Sequence, residues 1–371
     1  MFISDNADGI GKEKQMKTDI VIIGCGTTGE AAAAWFSLRG KRVALCDAER
    51  FIPRMETIRG RSGILLRGNA GITGRAMPEL LTTNVAEALA SSSRVLVCVP
   101  ALRHEEAARL CRPFLTAEHS VLVVPGNMGS LVFRAVFAED ETCAANRACI
   151  AEMSDNLWAC RTTGPAEVLA ALPMKDKRVA ALPAGDTPRV LEAFKDMLPL
   201  AAGGNVLETA LNSPNVVTHV AGCVPNAAGI DRSGGNFAFF RDGLSASVIK
   251  CSAAVEAERD AVLERLGLAR YMQVTALSEK LMQGTPPGFE AFVELDGPGN
   301  LRHRYVEEDA MCGMALLVSL AEACGVDVPV SRSLLCLAGV FNGTDYAEAG
   351  RNLKNLGLGG LAPREILARL G

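Results

Sequence analysis

The first part of the chain alternates short apolar runs with stretches of helical periodicity. The apolar runs have the length and β-branched content of buried strands. They occupy residues 19–24, 42–46, 62–66, 94–100, 120–126, 177–183 and 205–211, with a return strand predicted near 69–74. Predicted helices at 30–39 and 104–115 separate some of these runs. Strands that alternate with helices predict parallel βαβ units, and therefore a doubly wound parallel sheet of the α/β class.

After about residue 212 the apolar positions recur with a helical period of 3.6 residues. Gly267 and Gly325 are the predicted stops of the two longest periodic segments. The predicted helices cover 245–266, 307–324, 331–341, 346–355 and 363–370. We therefore expect a dinucleotide-type sheet domain over 1–211 and a second, all-helical domain over 212–371. Residues 1–15, ahead of Met16, are expected to form a loose leader.

Composition and charge narrow the classes of partner. The 371 residues carry a formal charge of −4 without a block of Lys or Arg, which argues against nucleic acid and anionic membranes as partners. The twelve cysteines are scattered and include no C-x-x-C pair, so neither a metal site nor a disulfide framework is expected. No secretory signal and no apolar run long enough to span a membrane is found. These features predict a protein of the reducing cytoplasm.

The first apolar run ends in a glycine-rich motif. Gly24, Gly26 and Gly29, with Thr27 and Thr28 between the last two, match G-x-G-x-x-G between a predicted strand and a predicted helix. The first glycine permits a tight turn, the second lets a pyrophosphate approach the backbone, and the third lets the helix pack close to the sheet. The free N–H groups of the helix N-terminus would then bind the anion. The motif in this context predicts a Rossmann site for NAD or NADP.

An acidic residue follows the second apolar run. Asp47 can accept hydrogen bonds from the ribose 2′-hydroxyl of NAD, and its charge would repel the 2′-phosphate of NADP. Arg50 stands three residues later and could bind that phosphate. NAD is therefore the expected cofactor, and NADP stays an alternative.

Two later strand ends could complete the cofactor pocket. Ligands of such sheets bind beyond the carboxyl ends of the strands, which here bring Pro100 and Gly126 to the predicted site. His104 follows Pro100 and has two interpretations, a polar residue at a helix start or a substrate contact.

Reduction of a carbon electrophile also requires a proton donor. His219 lies after the last predicted strand, where the two domains should meet, and is one of only four histidines. Asp309 lies at the start of a predicted helix, where acids are common because they suit the helix dipole. From the residues alone, a structural role is the favoured interpretation of both positions, and a catalytic role is the alternative.

Several longer segments carry a resemblance to a known family. The chain resembles the octopine/nopaline (opine) dehydrogenases over most of its length. The matching segments are GCGTTG, RVLVCVP with a histidine four residues after the proline, VVPGNMG, AEMSDNLWACR, NVLETALNSPNVVTH, FFRDGLSASVIKCSAAVEAERDAV, RYVEEDAMCG and NGTDYAEAGRNLKNLGL. The resemblance implies a Rossmann domain followed by a helical domain. It also implies condensation of an α-amino acid with an α-keto acid and reduction of the imine with NAD(P)H.

The resemblance also implies roles for particular residues. The family's catalytic histidine corresponds to His219, its partner acid to Asp309 and its keto-acid-binding arginine to Arg304. Asn212 could hold the turn that bears His219 or contact the substrate. Val220 departs from the family pattern, which has proline directly after the histidine. Which amino acid and keto acid react, and whether the protein is a homodimer, remain open.

Two other classes compete with this hypothesis. A ketopantoate reductase or a 3-hydroxyacid dehydrogenase has a similar plan but uses a lysine and an asparagine on one long helix. Lys250 is the one lysine in the predicted 245–266 helix that could serve, and that helix contains no asparagine. A non-catalytic dinucleotide sensor would keep the glycine loop but need no histidine supported by an acid.

Overall fold

The structure, a computed structural model, describes residues 17–371 except Asp176 and Met272. The predicted leader at 1–15 therefore lies outside the described residues. Within them, a large sheet occupies the first part of the chain and helices alone form the rest, from Val206 onward.

The large sheet has eight strands in the order β12-β11-β8-β7-β6-β1-β2-β5. Neighbouring strands are parallel except for β8 and β11, which pair antiparallel. Its strands are β1 (Ile20–Ile23), β2 (Val43–Cys46), β5 (Leu80–Thr82), β6 (Arg94–Val97), β7 (Ser120–Val123), β8 (Cys149–Met153), β11 (Lys177–Leu182) and β12 (Leu200–Ala202). The inner strands are buried on both faces, which is why they are apolar throughout rather than alternating.

Helices cover both faces of this sheet, as a doubly wound fold requires. The helices of this part are α1 (Thr27–Leu38), α2 (Ile52–Gly60), α3 (Val85–Ser91), α4 (His104–Cys111), α5 (Gly129–Ala138) and α6 (Thr187–Phe194). One face packs on α3, α4 and α5, and the other packs on α1 and α6. The expected fold class is confirmed.

A second sheet departs from the expected topology. It has the order β4-β3-β10-β9 and consists of β3 (Ile64–Gly68), β4 (Gly74–Ala76), β9 (Cys160–Gly164) and β10 (Glu167–Ala170). The run at 62–66, expected as the third strand of the main sheet, belongs to this small sheet instead. Ile64 and Leu66 are buried with Val168 in the core beside α1, while β5 takes the place next to β2. Alternating burial along β3 is the physical reason, because a strand with one exposed face suits a small cover sheet.

The second part is entirely helical within the described residues. Its helices are α7 (Val206–Leu211), α8 (Pro214–Cys223), α9 (Ala227–Arg232), α10 (Phe239–Asp242), α11 (Ala246–Leu266), α12 (Thr275–Gln283), α13 (Glu290–Val293), α14 (Glu307–Asp309), α15 (Ala315–Cys324), α16 (Pro329–Asn342), α17 (Tyr346–Ala349) and α18 (Pro363–Leu370). Helix α11 matches its prediction closely, because Ser245 caps its start and Gly267 ends it with φ +67°. The core of this part extends into the first part through Met128, Ala180 and Leu182. The two parts therefore pack on a shared apolar interior.

Three predictions for this region need correction. Residues 205–211 form helix α7 rather than a strand, because the Asn205 side chain caps it by accepting a hydrogen bond from the Glu208 N–H at 2.9 Å. The segment 307–324 is helical, but a π-helix over Ala310–Met314 interrupts it. The predicted helix at 346–355 ends at Ala349, and turns follow it.

No helix in the part of the chain that the structure describes is both long enough and apolar enough to cross a membrane.

Candidate active site between the strand ends and the helical part

The glycine motif is tightly packed at Gly24 and Gly29 and open at Gly26. A Cβ atom at Gly24, whose φ is +116°, would lie 2.5 Å from the Cys98 carbonyl oxygen, and one at Gly29 would lie 1.7 Å from the Gly24 carbonyl oxygen. A Cβ at Gly26 would meet no atom within 4 Å. Gly26 is also the N-cap of α1 and has no side-chain cap, so the N–H groups of the first turn are available to an anion. This geometry fits the pyrophosphate of a dinucleotide.

The two threonines of the motif contact the residues that cover α1. The Thr27 and Thr162 hydroxyls lie 2.8 Å apart, and the Asn156 side-chain amide donates to the Thr28 hydroxyl at 2.9 Å. The Cys160 thiol lies 3.7 Å from the same Thr28 hydroxyl. Residues 156–162 therefore form one wall of the predicted cofactor site.

Asp47 lies where the sequence predicted it, at the end of β2 beside the glycine turn. One of its carboxylate oxygens accepts a hydrogen bond from the Cys25 N–H at 2.6 Å, and the other accepts from the Ala48 N–H at 2.7 Å. Burial raises the pKa of Asp47, and the two backbone hydrogen bonds act in the opposite direction. Arg50 lies at the same end of the site and forms an ion pair with Glu106 of α4.

A buried carboxylate shapes the loop after β7. Glu152 accepts hydrogen bonds from the backbone N–H of Met128 and of Ser130, both at 2.9 Å, and from the Ser130 hydroxyl at 2.7 Å. A Cβ at Gly126 would lie 2.4 Å from the Cβ of Glu152, so only glycine fits there. Pro100 is exposed at the end of the neighbouring strand β6. Both predicted strand ends therefore lie at the same edge of the sheet as the glycine turn.

His219 and Asp309 are in direct contact, as predicted. The imidazole Nδ1 lies 2.7 Å from a carboxylate oxygen of Asp309, although the two residues are 90 positions apart. Both side chains are buried. The Tyr305 ring stacks on the imidazole with centroids 3.6 Å apart, and the Phe239 ring meets it edge-on at 5.9 Å. The imidazole plane is therefore held on two sides.

The local structure around His219 differs from the turn that the sequence suggested. His219 lies within helix α8, which begins with Pro214 at its first position. The buried amide of Asn212 is used entirely by backbone groups. It donates to the carbonyls of Glu208 and Ala269, both at 2.9 Å, and accepts from the Tyr271 N–H at 3.1 Å. Of its two expected roles, the structure supports holding the chain and argues against contact with the substrate.

Arg304 lies close to Glu308 and Asp309, and also to Cys160 in the segment 156–162. Its Nε is buried 3.6 Å from a carboxylate oxygen of Glu308, whereas 40% of its side chain is exposed, so the open fraction lies elsewhere on the side chain. Burial raises the pKa of the Cys160 thiol, which contacts Thr28, and the positive charge of Arg304 acts in the opposite direction. An anion bound in this cleft would therefore meet the guanidinium.

Glu308 and Arg351 join the helical part to the strand ends. Glu308 accepts a hydrogen bond from the Ala101 N–H at 2.8 Å, and Arg351 donates to the Ala101 carbonyl and to the Asn127 carbonyl. Burial raises the pKa of Glu308, so the compensating contacts matter. Glu308 lies in the first turn of its helix, where acids are commonly solvated, but here it is buried in this contact.

The same contact explains His104. Its ring is fully buried beneath Gly129, where an added Cβ would lie 2.2 Å from Nδ1, and Arg351 lies 3.4 Å from the same nitrogen. Burial and the Arg351 charge hold the pKa of His104 well below its ordinary value. Its burial argues against the expected substrate contact.

Sequence reasoning missed Arg351, Glu308 and Arg161, which donates to the Tyr305 hydroxyl. Arg351 lies in the segment NGTDYAEAGRNLKNLGL, whose resemblance to the family was visible, but nothing local indicates which backbone carbonyls it contacts. Lys250, the residue on which the reductase alternative rested, is exposed on α11.

Comparison with known proteins agrees with this arrangement. Residues 202–342 match the family model described as NAD/NADP octopine/nopaline dehydrogenase, alpha-helical domain. An opine dehydrogenase of Arthrobacter sp. (strain 1C) is 31% identical over 357 residues, covering 93% of this chain and 96% of that protein. The chain belongs to the opine dehydrogenase family. A vitopine synthase of Allorhizobium ampelinum is 24% identical and covers 78% of this chain and 81% of its own length.

Solved structures show how far the fold of this opine dehydrogenase is shared. An octopine dehydrogenase in complex with NADH and agmatine superposes with a TM-score of 0.68 at 15% identity, over 94% of this chain and 97% of that one. A ketopantoate reductase from Ralstonia eutropha reaches 0.59 at 16% identity, over 87% and 98% of the two chains. At these identities both likenesses concern the fold alone. The fold therefore does not separate the two classes of enzyme, and the 31% identity to the Arthrobacter opine dehydrogenase does.

Membership in the family establishes the class of reaction. The protein is an NAD(P)-dependent oxidoreductase that acts on CH–NH bonds. It catalyses the reductive condensation of an α-amino acid with an α-keto acid.

Removal of the Asn212 amide tests its structural role. Asn212→Ala should lower the free energy of unfolding by about 3 kcal/mol, because three hydrogen bonds are lost and buried backbone groups are left unpaired. Asn215→Ala, in the same segment and only half-buried, should change it by less than about 0.5 kcal/mol. Urea unfolding measures both. An unchanged stability together with a raised substrate KM for Asn212→Ala would restore the substrate role.

Proposed function

We propose that His219 and Asp309 are the catalytic pair of this opine dehydrogenase. The observation that carries the proposal is the 2.7 Å contact between the imidazole and the carboxylate. This pair lies one residue from Glu308, which bonds the loop at the carboxyl end of β6. A histidine supported by an acid at that edge would suit proton transfer next to a nicotinamide.

The hydrogen bond determines which imidazole nitrogen is used. A carboxylate can only accept, so Nδ1 carries the proton shared with Asp309, and Nε2 is the nitrogen available to the substrate. As the amine nitrogen attacks the keto carbon, Nε2 can take a proton from that nitrogen. The imidazolium can then give this proton to the keto oxygen, which becomes the hydroxyl of a carbinolamine. In a second transfer, Nε2 takes the remaining proton of the amine nitrogen and gives it to that hydroxyl, which leaves as water and gives the imine. Asp309 stabilises the imidazolium during these steps.

A bound NAD(P)H would supply the hydride for the imine carbon, and residues of the glycine turn would hold it. We assign the pyrophosphate to the N-terminus of α1 at Gly26, with Gly24 and Gly29 shaping the turn beneath it. We also assign Thr27, Thr28 and the exposed Pro100 to this region, whereas Gly126 is buried against Glu152 at the same edge of the sheet. Asp47 stands at the adenosine end, where its carboxylate suits a ribose with free hydroxyls.

Arg304 is assigned to the carboxylate of the keto acid. Its guanidinium is partly exposed beside the catalytic pair and presents a planar fork that matches a carboxylate. Burial tends to lower the pKa of Arg304, but the negative charges of Glu308 and Asp309 raise it. The guanidinium therefore stays positively charged.

Two further properties stay predictions. We propose that the enzyme works in the cytoplasm, which suits the twelve free thiols of the described residues.

A homodimer is a second proposal, and α16 offers an exposed apolar stripe of Leu337, Val340 and Phe341. Sedimentation analysis of the purified protein would show its oligomeric state.

The catalytic pair should behave as one unit in kinetics. His219→Ala should lower kcat by about 10²–10⁴-fold while NADH binding is kept, and Asp309→Asn should lower it by about 10²-fold because tautomer and orientation are lost. The double variant should be little worse than His219→Ala alone. His119→Gln, which removes an imidazole bonded to the Leu89 carbonyl, is the control and should keep kcat. Losses that add, as for distant independent sites, would contradict the pair.

Substitution of Arg304 distinguishes two anions. Arg304→Lys should raise the KM for the keto acid about tenfold and leave NADH affinity unchanged, since lysine lacks the bidentate fork. Arg302→Lys, at an exposed neighbouring position, should change neither quantity. Weaker NADH binding with an unchanged keto-acid KM would instead assign Arg304 to the dinucleotide phosphates.

Asp47 should set the preference between cofactors. We expect a higher kcat/KM with NADH than with NADPH, and Asp47→Ser should narrow the difference because the charge that repels a 2′-phosphate is removed. Steady-state kinetics with both cofactors measures this. A wild-type preference for NADPH of about tenfold or more, equivalent to about 1.4 kcal/mol, would contradict the assignment.

A further inference from the structure

Glu106 lies between two arginines at the adenosine end of the predicted cofactor site. Its carboxylate forms an ion pair with Arg50 and a second one, at 3.3 Å, with Arg103. The side chains of Arg50 and Arg103 are 53% and 64% exposed, so both cations are open to solvent as well as to Glu106. Glu106 is therefore shared by the two guanidinium groups nearest to it.

The position of this cluster relates it to the ribose end of a dinucleotide. Arg50 follows β2, and Glu106 lies on α4, which follows β6. Strand β1 runs between β2 and β6, so the Arg50–Glu106 pair spans the end of β1, where the glycine turn begins. The charge of Arg50 lowers the pKa of Asp47 and the charge of Glu106 raises it, so the three side chains lie close together.

Charge decides what this end of the site can accept. A 2′-phosphate carries nearly two negative charges and is held by arginines that are free to bind it. Here Arg50 and Arg103 already share a carboxylate, and Asp47 adds a second negative charge. A 2′-hydroxyl carries no charge and needs neither arginine.

We propose that Glu106 is a specificity-determining residue, which disfavours NADPH by engaging Arg50 and Arg103. The proposal rests on the proposed assignment of the dinucleotide to the glycine turn. It gives Arg50 a different role from the one the sequence suggested. Arg50 is a latent phosphate ligand whose charge Glu106 neutralises.

The neighbouring residue Glu105 is a matched control. It is on the same helix and also pairs with an arginine, but its partner is Arg109, which turns toward Glu139 of the segment after α5. Glu105→Gln removes the same charge from the same turn of α4 without releasing Arg50 or Arg103. A general effect of net charge would appear in both variants, and the specific effect only in Glu106→Gln.

The test measures nucleotide binding without substrates. NADH and NADPH are titrated separately into the purified full-length protein, and the nucleotide fluorescence gives each Kd. Glu106→Gln should lower the Kd for NADPH about tenfold and change that for NADH less than about twofold. Glu105→Gln should change neither. Adding Arg50→Gln to Glu106→Gln should remove most of the gain, and about 0.5 M salt should reduce it, because the groups are exposed and screened.

Other outcomes would overturn the proposal. An unchanged ratio of the two Kd values in Glu106→Gln would show that Glu106 does not discriminate. Equal gains in Glu105→Gln would show a general charge effect, and equal losses for both nucleotides in Glu106→Gln would show a structural role. Failure of the wild-type protein to bind either nucleotide would instead contradict the proposed cofactor site itself.

Discussion

Charged side chains of the helical part bind both backbone polar groups of Ala101. Glu308 accepts from its N–H at 2.8 Å, and Arg351 donates to its carbonyl. Hydrogen bonds to charged groups contribute about 1.5–3 kcal/mol each, more than neutral ones. Because Glu308 precedes Asp309 directly in the chain, the contact that docks the two parts also positions the acid of the proposed catalytic pair.

Burial makes these contacts demanding as well as stabilising. The carboxylates of Glu152, Glu308 and Asp309 are buried. Burying an unpaired charge costs far more free energy than burying an unpaired neutral polar group. The structure compensates with backbone N–H donors for Glu152 and Glu308, and with the imidazole for Asp309. Loss of one partner would leave a charge unpaired in the interior. The loops at the strand ends therefore owe their shape to buried polar contacts and not to apolar packing alone.

The two ends of the site differ in their exposure to water. At the proposed catalytic end His219 and Asp309 are buried beside aromatic rings, so their interaction is little screened. At the proposed adenosine end the side chains of Arg50 and Glu106 are 53% and 37% exposed, so salt weakens their interaction. A strong, fixed hydrogen bond suits proton transfer, whereas a weak, solvated ion pair suits discrimination between cofactors that differ by one phosphate. In the proposed assignment, the same fold thus uses electrostatics in two ways at one site.

The sequence alone determined the features that depend on local physics. Strands buried on both faces read as continuous apolar runs, the glycine turn admits no side chain at Gly24 or Gly29, and Gly267 ends α11 where the periodicity stops. The resemblance to a family added the His219–Asp309 contact, which no local rule connects across 90 residues. Tertiary structure decided the rest. It assigned 62–66 to a second sheet, made 205–211 a capped helix, buried His104 and Asn212 among backbone partners, and brought Arg351 and Glu308 to Ala101. Those outcomes depend on partners distant in the chain, because a polar side chain becomes structural or functional only through the groups that surround it after folding.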